Sequence, residues 1–142
     1  MIEQTQSEPY LRSRIKVFHE KKYDKNNKEL DMMITGVKDL ALQIIKESPN
    51  IPSEASFALK NIDSPTFLTN FIASNLNADV LKKQEMLEDT DMKSRVLKLM
   101  EHLSLEIKML EMRNEIQSKV KKDIDRQQRE YFLHQQMRTI QD

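Results

Sequence analysis

The side chains best suited to chemistry are few and scattered. His19, His102 and His134 are the chain's three histidines. A zinc site needs three or four converging ligands, and no H-x-x-x-H or H-E-x-x-H spacing joins any of them to a partner. They read as surface histidines. Ser118 and Lys119 are the residue types of a serine–lysine nucleophile pair, but adjacent residues on a helix do not face each other. Glu85, Glu88, Asp89 and Asp91 gather four carboxylates near one helix junction. General acid–base work would require a pocket that separates their pKa values. Their surroundings predict capping and solvation instead.

The glycine count excludes whole classes of activity. Gly36 stands alone. Phosphate loops need several glycines so that backbone N–H groups can turn toward the anion, which rules out G-x-x-x-x-G-K and G-x-G-x-x-G here. The G-x-S-x-G nucleophile elbow falls with them. There is no cysteine, hence no disulfide, thiolate nucleophile or cysteine metal site. The formal net charge is zero, so the whole molecule exerts no steering toward nucleic acid or an anionic membrane. Local basic groups remain at Lys21, Lys22, Lys25 and Lys28, and at Lys119, Lys121, Lys122, Arg126 and Arg129. Asp123, Asp125 and Glu130 interrupt the second set, which reads as a solvated helix face. No apolar run approaches the ~20 residues of a membrane span. The first residues resemble neither a signal nor a transit peptide.

The elements that must position these residues are almost all helical. One glycine and four prolines predict an all-α chain with few tight turns. The exception is Tyr10 to Phe18, where Leu11, Ser13, Ile15 and Val17 alternate with Arg12, Arg14 and Lys16 in the period of a strand. No second strand is evident, so the expected partners of this one lie upstream of Met1. Lys21 to Lys28 reads as a polar linker. From Asn27 to Ser48, Leu30, Met33, Ile34, Val37, Ala41, Ile44 and Ile45 define one helical face, ended by Pro49-Asn50-Ile51-Pro52. Ser53 is placed to cap a short helix running to Asn61. Ser64 and Pro65 form a cap and first turn for another, whose buried face is expected from Phe67, Leu68, Phe71, Ile72 and Leu76. A fourth piece from Asn77 carries Val80, Leu81 and Leu87.

Thr90 or Asp91 is placed to cap the last helix, which runs without proline or glycine from Met92 to Asp142. At 1.5 Å per residue this helix spans about 75 Å, more than a small domain can cover. Met92, Val96, Leu99, Leu103, Ile107 and Leu110 form its seam. Met109, Met112, Ile116, Val120 and Ile124 follow at steps closer to four than three and a half, which argues against a long regular two-stranded coil. The expected organisation is a strand and linker over 1–25, a helical bundle over 26–110 and a projecting stalk over 111–142. Tyr131, Phe132, Leu133 and Met137 have no evident cover and are candidate partner contacts. Met100, Met109 and Met112 are bundle packing by default; the alternative is a flexible apolar surface for varied polypeptide clients, which unbranched methionine suits.

Four ordered blocks resemble one family. Gln128-Arg129-Glu130-Tyr131-Phe132-Leu133-His134-Gln135-Gln136-Met137-Arg138-Thr139-Ile140-Gln141 resembles the Q-R-E-Y-F-L-x-x-Q-hydrophobic-basic-x-I-Q segment of the Lon family of ATP-dependent proteases. Phe67 to Leu76 is similar to the family's L-A-D-x-I-A-x-N-L helix, and Lys83 to Glu88 to its K-Q-x-L-L-E. Pro9-Tyr10-Leu11-Arg12 resembles the end of its β-rich half, while Arg95, Leu97, Leu99 and Leu103 fit the start of its long helix. Asn70 and His134 depart from the pattern at positions where a helix surface tolerates change.

The resemblance implies the helical part of an N-terminal region, ending before the ATPase module. It implies no catalytic, cofactor-binding or metal residue in this chain. The parent would be a cytoplasmic, bacterial homohexamer, with the mitochondrial matrix as the less favoured location, using ATP and magnesium and a Ser–Lys proteolytic domain. The implied partners are unfolded or damaged proteins, the ATPase module and neighbouring subunits. Self-association as a dimer is a further expectation, DNA is a minor one, and no membrane is expected. The competing reading is a stand-alone helical scaffold or adaptor that dimerises through its long helix.

Overall fold

The computed structural model describes residues 3–6, 8–24 and 26–141. Among these, two short strands precede five helices: β1 Glu3–Gln6, β2 Arg12–Arg14, α1 Lys28–Glu47, α2 Glu54–Lys60, α3 Pro65–Asn75, α4 Val80–Glu88 and α5 Met92–Gln141. The fold is all-α apart from the hairpin, as the composition requires.

The strand expectation needs correcting. The regular strand is only Arg12–Arg14, and its partner lies within the chain: β1 pairs with it antiparallel, Glu3 opposite Arg14, with a register shift between Gln4 and Gln6. Glu3-Gln4-Thr5-Gln6 has no apolar alternation, so periodicity could not reveal a strand held by backbone hydrogen bonds. The expected apolar face at Leu11, Ile15 and Val17 stands exposed. The polar linker is fastened rather than free. Lys21 donates its N–H to the Thr90 carbonyl at 3.0 Å, and Tyr23 packs against the core.

α1 begins where expected. The Asn27 side chain accepts the N–H groups of Glu29 and Leu30, satisfying two of the orphan donors of the first turn. Its predicted face turns inward, with Leu30, Val37, Ala41 and Ile44 buried. α1 lies along the first half of α5, whose Met92, Val96, Leu99, Leu103 and Ile107 are also buried. Each such side chain contributes ~1.5–3 kcal/mol when fully withdrawn from water. Gly36 marks a close approach of these helices, since a Cβ there would lie 3.3 Å from the Met100 methyl carbon.

α2, α3 and α4 complete the bundle with some departures from expectation. Ser53 stands at the α2 N-cap, but its side chain makes no capping bond. The other end of α2 is capped from α1, where the Lys38 ammonium donates to the Lys60 carbonyl at 2.8 Å. Ser64 caps α3 by accepting the Phe67 N–H, with Pro65 in the first turn. Leu68, Ile72 and Leu76 are buried, whereas Phe67 is exposed and Phe71 sits at the surface, the two rings stacked. α4 buries Met86 alone of its own residues and exposes Val80, Leu81 and Leu87. Being short, it packs chiefly on α3 and α5, and a flexible methionine fills that gap.

The start of α5 is organised by Asp89 rather than by a Thr90 or Asp91 side chain. Its carboxylate accepts from Ser94 Oγ (2.6 Å), Lys98 Nζ (2.9 Å) and the Asp91 N–H (3.0 Å). The Ser94 hydroxyl, then the Lys98 ammonium, hold its pKa down at about 2. Beyond Leu110, α5 is exposed throughout to Gln141, apart from the half-buried Asn114. No helix among the described residues is long and apolar enough to cross a membrane.

Candidate functional site

Three features stand out: a charged clasp, a groove and the uncovered length of α5. The clasp centres on Arg95, which lies within the apolar seam between Met92 and Val96 and is only 5% exposed. Its guanidinium donates to the Glu20 carboxylate at 2.9 Å, the Asn70 side-chain oxygen at 3.3 Å and the Asp89 carbonyl. Planar guanidinium geometry lets one residue serve three elements: the linker, α3 and the α4–α5 junction. Asp89 in turn pairs with Lys98. The clasp is saturated and built for stability.

The groove lies where the bundle ends. The α3–α4 turn from Leu76 to Asp79 forms one wall and α5 from His102 to Arg113 the other, enclosing about 430 Å³. Leu105, Met109 and Leu110 give it apolar sides. A smaller cavity of about 100 Å³ adjoins it, lined by Ile44, Leu59, Phe71, Ile72 and Leu103. Leu76 and Glu106 line both. Burial pushes the Glu106 carboxyl above its usual range, with no other cause acting.

The expected partner contacts are all on the uncovered length of α5. Tyr131, Phe132, Leu133 and Met137 are each more than half exposed. Successive helical residues point about 100° apart, so Tyr131, Phe132 and Leu133 occupy three different faces. Met109 and Met112 are likewise exposed, but Met100 is partly buried against the core and sits over Gly36. Met109, Met112, Ile116, Val120 and Ile124 form a stripe about a third of a turn around α5 from the Leu99–Leu103–Ile107 seam. The stripe is therefore a second face rather than a continuation of the packed one.

The remaining candidates stay apart. His19 and His134 are exposed and line no part of the groove, which His102 does. No group of His, Cys, Asp or Glu among the described residues is placed to hold a metal ion. Lys119 pairs with Glu115 at 3.0 Å, one turn away, rather than with Ser118. Arg95 and Glu106 do not stand out as functional residues in the sequence. A charged residue inside an apolar seam was the available signal for Arg95; Glu106 carried none, because its burial comes from the α3–α4 turn.

The chain is thus a small helical bundle with a clasped linker and a long uncovered helix. Residues 1–104 match the family model of the ATP-dependent protease La (LON) substrate-binding domain. The chain belongs to this family. It is 53% identical to the Lon protease of Flavobacterium johnsoniae over 95% of its length, 41% identical to that of Cytophaga hutchinsonii over 99%, and 39% identical to that of Karelsulcia muelleri over 100%. It spans about a sixth of these relatives' own lengths, 16%, 17% and 17% respectively. The likeness to whole relatives thus continues past residue 104, along the exposed half of α5.

Proposed function

We propose that this chain is the substrate-recognition and assembly region of an ATP-dependent Lon protease acting in protein quality control. It captures unfolded or damaged polypeptides and does no chemistry itself. Proteolysis by a Ser–Lys dyad, and ATP with magnesium, belong to other modules of a homohexameric parent in the bacterial cytoplasm. The observation that carries this reading is the substrate-binding family match over residues 1–104. Exposed methionine and aromatic side chains beyond it are typical of surfaces that meet other proteins. Within the chain, 26–110 serves as the recognition bundle and 111–142 as the stalk toward the ATPase module. Tyr131, Phe132, Leu133 and Met137 pack against that module or a neighbouring subunit, and Met109 and Met112 offer apolar surface to clients.

Fluorescence anisotropy with one labelled protein in folded and permanently unfolded forms tests the capture role. The chain is expected to bind the unfolded form and ignore the folded one. Equal affinity for both, or for neither, contradicts the proposal. For the stalk, Tyr131→Ala with Phe132→Ala in the parent is expected to weaken hexamer formation or ATPase activity. Unchanged assembly and turnover would refute that contact. The scaffold reading draws on the exposure of the apolar stripe from Met109 to Ile124, although its near-four-residue steps weigh against a regular coil, and sedimentation equilibrium separates the two: a tight discrete dimer without client binding would support the scaffold.

A further inference from the structure

Glu106 is an anomaly in the groove at the end of the bundle. It sits between two apolar spaces, and no ion pair or hydrogen bond to its carboxylate occurs among the described residues. A carboxylate partly withdrawn from water without a partner, as Glu106 is, is destabilised in its charged form. The other acid lining the groove is accounted for: Asp79 accepts the Lys82 N–H at 3.0 Å as the cap of α4. The groove's cations are Lys82 and Arg113, both exposed, with His102 partly buried on the turn before Glu106. Neither Lys82 nor Arg113 reaches the carboxylate. Negative charge therefore stands where the groove meets the smaller cavity, and exposed positive charge lines the groove alone.

We infer that this groove is a recognition site for an unfolded polypeptide segment carrying a lysine or arginine beside an apolar residue, the basic head meeting Glu106. The inference rests on the substrate-capture reading above and narrows it to a substrate class. A lysine or arginine stem is apolar and its head cationic, so it can lie along Leu105, Met109 and Leu110 while its charge reaches inward. The adjoining cavity, lined by Ile44, Phe71 and Leu103, takes the neighbouring apolar side chain. Its ~100 Å³ suits a residue the size of valine or leucine better than a tryptophan. Acidic residues further along the segment meet Lys82 and Arg113. Pairing supplies Glu106 with the partner it lacks, which is the source of selectivity over an uncharged isostere.

The test uses the whole chain and two labelled unstructured peptides, identical except that a central arginine beside leucine is replaced by citrulline. The arginine peptide is expected to bind about tenfold tighter, and Glu106→Gln to erase most of that advantage. Because Glu106 makes no bond in the fold, Glu106→Gln should unfold at the same temperature as the parent chain or higher. A second variant, Lys82→Glu at an exposed position, should strengthen binding of the arginine peptide and leave folding unchanged. If both peptides bind equally and neither variant alters this, the groove assignment is overturned while substrate capture stands. If neither peptide nor any other unfolded client binds, capture itself fails with it.

Discussion

The two halves of α5 are one unbroken helix with opposite surroundings. From Met92 to Leu110 the helix carries a buried apolar seam matched to α1, α3 and α4. From Glu111 to Gln141 it carries nine large apolar residues, and all of them are exposed. Helix formation as such is common to both, so it cannot be what separates them. The first half is held by tertiary packing, which supplies most helical stability in proteins. The second half, about 45 Å long at 1.5 Å per residue, has only its own backbone and local ion pairs such as Glu115–Lys119 and Arg126–Glu130. Such i,i+4 pairs contribute ~0.2–0.5 kcal/mol each. The exposed stripe also faces a third of a turn away from the packed seam, so a partner can cover it without displacing the bundle.

Paired substitutions on the two halves sharpen this contrast most. Leu99 is fully buried, and Leu99→Ala should cost about 3 kcal/mol in denaturant unfolding. Ile116→Ala removes similar surface from the exposed half and should change stability by no more than ~0.5 kcal/mol. Comparable costs would mean the stalk is packed against something in solution. Next comes Arg95→Ala, which leaves the Asn70 side chain and the Asp89 carbonyl short of a donor and frees Glu20. About 2 kcal/mol is expected, with the linker becoming more sensitive to protease as a second readout. A smaller effect follows at Asp89. Its folded pKa, about 2, lies below the 3.8 of the unconstrained group, so its contribution is complete above pH ~4 and fades as pH falls toward 2. Asp89→Asn should cost about 1–2 kcal/mol at neutral pH and flatten that part of the acid unfolding profile. The smallest effect belongs to Gly36→Ala. Alanine gains ~1 kcal/mol of helix propensity, and the Met100 methyl, at the end of a flexible chain, needs to move only slightly. A melting temperature unchanged or modestly raised is expected, and a clear fall would show that the α1–α5 approach is tighter than the geometry implies.

The same contrast explains what was legible in the sequence. Long periodic elements declared themselves: the inward face of α1 and the seam of α5 follow from apolar spacing, and the α3 start from Ser64-Pro65. Short elements did not. β1 is polar at every position, and α4 presents Val80, Leu81, Met86 and Leu87 around its circumference, so only its neighbours decide that Met86 goes inside. Phe67 matched the α3 period yet lies outward, where it stacks on Phe71. Arg95 and Glu106 owe their roles to segments distant in sequence, the linker at Glu20 and the turn at Leu76–Asp79. The exposed stalk side chains were legible as uncovered because nothing in the chain was left to cover them.

Hydrogen exchange along α5, measured on the whole chain at low concentration, tests most directly whether one helix serves two purposes. Amides from Val96 to Ile107 should exchange only through global unfolding, and those beyond Glu111 should exchange orders of magnitude faster through local fraying. Uniform strong protection from Met92 to Gln141, independent of concentration, would contradict the account, because it would mean that the outer half of α5 is stabilised within this chain and is not a surface kept for partners.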